Sequence, residues 1–177
     1  MEGIQSWFEY LSTRGDLVTQ TLLQTLTYVV LVTISASIVA IILGVATRHN
    51  PLAKELSLSI ASVFLTIPSL ALFTIFIPIV GLGFVPSFIA LFLYALLPIM
   101  RNTVAGLDAV DSSVLESAKG MGLTSRQILL KVQLPLAWPI MLAGIRVSAL
   151  LTVGISAIAT LVAGGGLGDF IKSGLAR

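Results

Sequence analysis

The sequence contains no cysteine and a single histidine, His49, among its 177 residues. The missing cysteines exclude disulfides, thiolate catalysis and thiolate zinc sites, and one histidine cannot build a histidine-rich metal site. Charged residues are also scarce, at 10% of the chain, where soluble domains carry roughly 25%. A water-soluble fold could not cover its surface with so few charges, so the composition indicates a membrane protein.

Long uncharged runs predict an all-α, polytopic membrane fold. No charged residue occurs in 17–47 or in 56–100, and only Arg146 is charged between 136 and 168. A helix needs about 20 residues to cross the hydrocarbon core. The runs therefore predict four spans in a single transmembrane domain, 1–177, with Pro68 kinking the second span and an interfacial helix at 4–17. The predicted spans are 21–46, 56–79, 86–100 and 144–163.

Basic residues concentrate in the loops that follow spans 1 and 3. Those loops hold Arg48, Lys54, Arg101, Lys119, Arg126 and Lys131. The opposite side holds only Arg14, Lys172 and Arg177. Because loops rich in Lys and Arg stay in the cytoplasm, the distribution predicts that the N-terminus lies outside the cell.

The polar segment 101–135 is patterned as two short helices that project from the membrane. Capping-box patterns begin at Ser113 and at Thr124, and Gly122 lies between them, where the chain must turn sharply. Pro135 is expected to end the second helix. Nothing else in the chain is left to cover this unit, so it is a candidate docking element for a partner protein, the alternative being an ordinary solvated connection.

The same segment resembles the EAA motif of ABC importer permeases, which is E-A-A, three residues, G, nine residues, then I-x-L-P. Ser117 replaces an alanine of that pattern and Val132 replaces its isoleucine. The residues at the motif positions are Glu116, Ser117, Ala118, Gly122, Val132, Leu134 and Pro135. The resemblance implies that this loop couples the chain to ATPase subunits.

Three further segments, 66–72, 94–103 and 165–169, look like the glycine betaine/carnitine/choline branch of these permeases. Members of that branch usually carry another transmembrane helix after the glycine-rich segment. This sequence ends at Arg177, so either it is a fragment or the fifth span is missing. The glycines of 164–168 are expected to form a flexible external turn, with a gate as the alternative.

The resemblance implies the permease subunit of a type I ABC importer in a bacterial inner membrane. The expected solute is a quaternary-ammonium osmoprotectant: glycine betaine, carnitine, choline or proline betaine. The implied partners are ATPase subunits that bind ATP and Mg, a second permease copy or paralogue, and an extracellular or periplasmic binding protein. No cofactor, metal or catalytic residue is expected in this chain. Pro68 and Ser69 are candidate pathway-lining residues.

Two other functions remain open. A permease for another small solute, such as methionine, would share the coupling loop, whereas a passive channel or structural membrane protein would not need it. A membrane-embedded enzyme is disfavoured, because no predicted span carries paired carboxylates, a histidine cluster or a serine beside a base.

Overall fold

The computed structural model describes residues 14–175, which form helices joined by short connections. A π-helical turn, Leu129–Gln133, and a 3₁₀ turn, Thr160–Val162, interrupt the α-helical pattern. Most of the interfacial helix predicted at 4–17 lies outside the described residues. The α-helices are α1 (Gly15–Thr47), α2 (Pro51–Thr66), α3 (Ser69–Val80), α4 (Phe84–Asp108), α5 (Ser112–Gly120), α6 (Ser125–Ile128), α7 (Leu134–Ala159) and α8 (Gly168–Leu175).

Three helical segments of the described chain are long and apolar enough to cross a membrane: α1, α4 and the segment Ser125–Val162, which contains α7. Helices α2 and α3 make a fourth span if the pair is counted as one. The prediction of about four spans is therefore confirmed, but the second span is not one continuous helix. Its two halves are bent by 97° at the break between them.

The break at Pro68 corrects the predicted kink. Ile67 adopts an extended conformation, φ −76° and ψ 130°, because the proline ring disfavours the helical region for the residue before it. The Ile67 carbonyl oxygen, at the end of α2, has a hydrogen-bond partner, because the Tyr94 hydroxyl donates to it at 2.5 Å. That bond makes the interruption tolerable inside a bilayer, where water is not at hand to satisfy the backbone.

Helix α4 is central and packs against α1, α2, α3 and α7. Its contact with α7 is close at Gly144, where an added Cβ would lie 2.7 Å from the Pro98 carbonyl oxygen. Small residues at such crossings let helix backbones approach closely, which is the main source of packing energy between helices in a membrane. The interior of this bundle includes Tyr28, Val32, Phe73, Leu91, Ile99 and Met100.

Two boundaries differ from the sequence-based expectation. Helix α4 continues to Asp108, so 101–108 belongs to the helix and not to the loop, because polar residues do not by themselves stop a helix. Pro135 does not end a helix but occupies the first turn of α7, where its missing N–H costs nothing. We call the end of the bundle that carries 109–133 the loop end, and the end that carries 163–168 the glycine end.

Candidate coupling site

The first helix of the projecting unit, α5, begins with a side-chain cap from Asp111. Its Oδ1 accepts a hydrogen bond of 2.8 Å from the Ser113 N–H. The predicted capping box that starts at Ser113 is therefore wrong, because Ser113 already lies inside the first turn. The bond from the Ser113 backbone, with a smaller contribution from its side chain, holds the pKa of Asp111 below its ordinary value of 3.8.

The turn after α5 is a Schellman motif centred on Gly122. The Gly122 N–H donates to the Lys119 oxygen at 2.9 Å, and the Leu123 N–H donates to the Ala118 oxygen at 3.2 Å. Gly122 has φ +82°, in the left-handed region that glycine enters at no steric cost. The sharp turn expected at this glycine is thus present, and the structure explains why the position needs glycine.

The second helix, α6, begins with the predicted capping box, which is confirmed. The Thr124 hydroxyl accepts from the Gln127 N–H at 3.4 Å, and the Thr124 N–H donates to the Gln127 side chain at 2.8 Å. After Ile128 the backbone widens into the π-helical turn and then continues as α7. The unit is therefore joined to a membrane helix without a flexible linker.

The motif residues divide into a packed set and an exposed set. Ala118 is buried in α5, which packs on α6 and the π turn, and Val132 is half-buried. Leu134 is half-buried and packs against the small core of Leu107, Ala137 and Met141. The other four positions, including the glycine, are exposed: Glu116, Ser117, Gly122 and Pro135. The first five positions therefore lie between α5 and the π turn, and the last two, Leu134 and Pro135, lie in the first turn of α7.

The two most exposed large apolar side chains of the unit are those of Met121 and Leu130. Met121 is 73% exposed and Leu130 is 64% exposed, although both lie in the most polar part of the chain. Exposed apolar groups rimmed by polar residues are typical of protein-binding surfaces. The motif pattern did not reveal these two residues, and their apolar character in a polar segment was the only available signal.

The glycine end carries a loop, 163–168, that is fixed to α1 by three hydrogen bonds. The Tyr28 hydroxyl donates to the Gly164 oxygen at 2.7 Å. The Gly166 N–H donates to Gln24 Oε1, and the Leu167 N–H donates to Thr25 Oγ1, both at 3.0 Å. The segment expected to be a flexible turn is therefore anchored by side chains that the sequence did not single out.

The candidate pathway residues lie at the break of the second span. Pro68 is exposed, and Ser69 is half-buried at the first position of α3. Between residues 14 and 175, no three His, Asp or Glu side chains come together in a group that could hold a metal ion.

The described residues thus form a membrane protein with a bundle of membrane-crossing helices and a folded helix–turn–helix unit at its loop end. Residues 36–176 match the family described as "Binding-protein-dependent transport system inner membrane component", and the chain belongs to that family. It is therefore a multi-pass inner-membrane component of an ABC transporter and not the catalytic subunit.

Two relatives from Bacillus subtilis illustrate the similarity. The choline transport system permease protein OpuBB is 38% identical over 167 residues, which cover 94% of this chain and 77% of the relative. The glycine betaine/carnitine/choline transport system permease protein OpuCB is 44% identical over 138 residues, which cover 78% of this chain but only 64% of the relative.

A solved structure supports the fold. An inward-facing conformation of the MetNI methionine ABC transporter matches with a TM-score of 0.76 and 27% sequence identity, covering 87% of this chain and 78% of that one.

Proposed function

We propose that this chain forms the translocation pathway of an ATP-driven importer for a small quaternary-ammonium osmoprotectant. Glycine betaine, carnitine, choline and proline betaine are the candidate solutes. The proposal is supported by relatives whose names specify choline, glycine betaine and carnitine transport. The segments 66–72, 94–103 and 165–169 carry the same resemblance within this sequence.

The dependence of transport on ATP is inferred from the folded unit that α5, α6 and the π turn form. Met121 lies at the Schellman turn after α5, Leu130 lies in the π turn, and both side chains are exposed. A preformed surface of this kind binds a partner without a large ordering cost. We infer that the partner is an ABC ATPase subunit, which binds the ATP and Mg, while this chain contributes no catalytic group.

Transport in this scheme requires two more partners. A second permease copy or a paralogue completes the pathway, and an extracellular or periplasmic binding protein delivers the solute. Closure of the ATPase pair on ATP would move the loop units, and the permease would alternate between outward-facing and inward-facing arrangements.

We infer that the loop end faces the cytoplasm and that the N-terminus lies outside. Five basic residues lie at the loop end, namely Arg48, Lys54, Lys119, Arg126 and Lys131, and Arg101 lies in α4 ahead of its last turn. Lys54, in the first turn of α2, forms an ion pair with Asp108, the last residue of α4. That ion pair supports placing the start of α2 and the end of α4 on the same side of the membrane, as the excess of Lys and Arg indicates.

The break at Pro68 and Ser69 is the proposed lining of the pathway. Irregular backbone at membrane depth is tolerated only where protein buries it or a water-filled cavity adjoins it. Tyr94 protects the Ile67 carbonyl, whereas Pro68 remains exposed within this single chain. An exposed break is consistent with a position facing the pathway between two permease subunits.

A methionine permease is the second candidate, because the matched solved structure belongs to a methionine transporter. Both candidates use the same ATPase-binding unit. Binding protein and labelled solute therefore discriminate between them, and the ATPase interaction does not.

The ATPase interaction is tested by co-purifying the full chain with co-expressed ABC ATPase subunits from detergent. The double substitution Met121→Glu with Leu130→Glu should abolish co-purification, since it places charges on the proposed contact surface. Leu175→Glu is the matched control, because Leu175 is 84% exposed in α8 at the other end of the bundle. Equal ATPase recovery with the double variant and wild type would contradict the proposed docking surface.

Solute identity is tested by measuring uptake of labelled glycine betaine, choline and methionine into vesicles that contain the assembled transporter. Uptake of glycine betaine or choline, driven by ATP and the binding protein, supports the osmoprotectant assignment. Uptake of methionine alone supports the second candidate, and ATP-independent uptake of all three would indicate a passive channel.

A further inference from the structure

One side chain of the projecting unit reaches back to a membrane helix. Gln133, the last residue of the π turn, donates from Nε2 to the Leu107 carbonyl oxygen at 3.3 Å. Leu107 lies in the last turn of α4, where carbonyl groups have no partner within their own helix. The Gln133 amide therefore satisfies a backbone group that the end of α4 leaves open.

The π turn, Leu129–Gln133, ends at the residue that makes this contact. A π turn accommodates one extra residue, which rotates the helix after it by about 100° relative to an uninterrupted α-helix. Gln133, Ala137 and Met141 are spaced four residues apart and share one face of the segment, and Ala137 and Met141 are buried in a small core with Leu107. The polar contact of Gln133 thus continues the apolar contact between α7 and α4.

The neighbouring residue of α4 carries a second connection. Asp108 accepts a hydrogen bond from Lys54 Nζ at 2.8 Å, and Lys54 lies in the first turn of α2. Helix α2 ends at the break at Pro68. Leu107 therefore contacts the projecting unit through Gln133, and the adjacent Asp108 contacts α2 through Lys54. The end of α4 in this way connects the projecting unit to α2, the helix that ends at the break.

We infer that Gln133 is a positioning residue that fastens the projecting unit to α4, so that a displacement of the unit moves α4 and α2 together. The inference rests on the proposed function, because it assumes that an ATPase displaces the unit. Gln133 occupies the variable position of the I-x-L-P pattern, where the motif specifies no residue. Its role depends on the contact with Leu107 and not on the motif.

The test measures the ratio of solute imported to ATP hydrolysed in vesicles that contain the complete transporter. Gln133→Met keeps the length of the side chain and removes the donor. We expect the ratio to fall about threefold to tenfold, the effect of one neutral hydrogen bond, while ATPase subunits still co-purify. Gln20→Met is the matched control, because Gln20 is exposed on α1, far along the chain from the projecting unit, and its ratio should stay at the wild-type value.

Gln133→Arg restores an N–H donor that is long enough to reach Leu107. Its ratio of solute imported to ATP hydrolysed should therefore return most of the way to the wild-type value. A wild-type ratio with Gln133→Met would overturn the inference, and so would loss of ATPase binding, which would assign Gln133 to docking or folding. Failure of the proposed function is recognised separately, because the wild-type chain itself would then show no ATP-dependent uptake.

Discussion

The Tyr28 hydroxyl lies 2.7 Å from the carbonyl oxygen of Gly164, and this hydrogen bond joins residues 136 positions apart. The ring of Tyr28 also stacks on Phe84 of α4, with 4.7 Å between the ring centroids. One side chain of α1 therefore contacts the loop after α7 and the first turn of α4. The glycine end is held together by this residue and by its neighbours Gln24 and Thr25.

Tyr28→Phe should lower the free energy of unfolding of the detergent-solubilised chain by about 1–2 kcal/mol. The substitution keeps the ring and its stacking but leaves the Gly164 carbonyl without its donor. Thermal unfolding followed by circular dichroism measures the change. Thr27→Val, which removes an exposed hydroxyl bonded only to its own helix, should change the unfolding midpoint much less, and an equal loss in both variants would contradict the assignment.

Gly166→Ala should lower the free energy of unfolding of the chain by at least about 1 kcal/mol. Gly166 has φ +92°, and an added Cβ would lie 2.8 Å from Thr25 Oγ1, so both backbone strain and a steric clash oppose the substitution. Gly174→Ala is the control, because nothing lies within 4 Å of its Cβ position. Alanine should be neutral or slightly stabilising there. A neutral Gly166→Ala would mean that the loop is not held as described.

Gly122→Asp should leave membrane insertion intact and uncouple ATP hydrolysis from transport. The aspartate must enter the left-handed region that the Schellman turn requires, which costs about 1 kcal/mol. We expect the turn to relieve this strain by changing the angle between α5 and α6. The measurement compares solute uptake with ATP hydrolysis in vesicles. Gly120→Ala, in the last turn of α5 with open space around it, serves as the control, and normal transport by Gly122→Asp would refute the expectation.

The cap of α5 should weaken under acid conditions, because the pKa of Asp111 is lowered by its hydrogen bond from Ser113. A carboxylate with a depressed folded-state pKa contributes stability above its unfolded pKa, and that contribution disappears as the pH falls through the folded value. Hydrogen exchange at the Ser113 amide, corrected for its intrinsic pH dependence, should therefore show less protection as the pH falls below 3.8.

Asp111→Asn is the control for this pH dependence. Its amide oxygen can accept the same bond but does not titrate in this range, so protection should be nearly independent of pH. The same acid-dependent loss in both proteins would show that the cap is not its cause.

Sequence patterns predicted the elements whose signals are local. The uncharged runs gave the number of spans, and the Thr124–Gln127 pattern gave the start of α6. The error at the start of α5 has a simple origin, since Asp111 and Ser113 are both good capping residues and only the backbone path decides which one accepts. The bend at Pro68 was underestimated, because sequence does not show whether neighbouring helices can satisfy the backbone groups that a break exposes.

The sequence by itself determined that the chain is helical, that it belongs in a membrane and which segment carries the permease motif. These properties follow from composition and short-range spacing, which act within one or two helical turns. Only the tertiary structure decided that Tyr28 would meet Gly164, that Gln133 would meet Leu107 and that Tyr94 would cover Ile67. Each of these pairs joins residues at least 26 positions apart, and such contacts depend on how the helices pack, which no local pattern specifies.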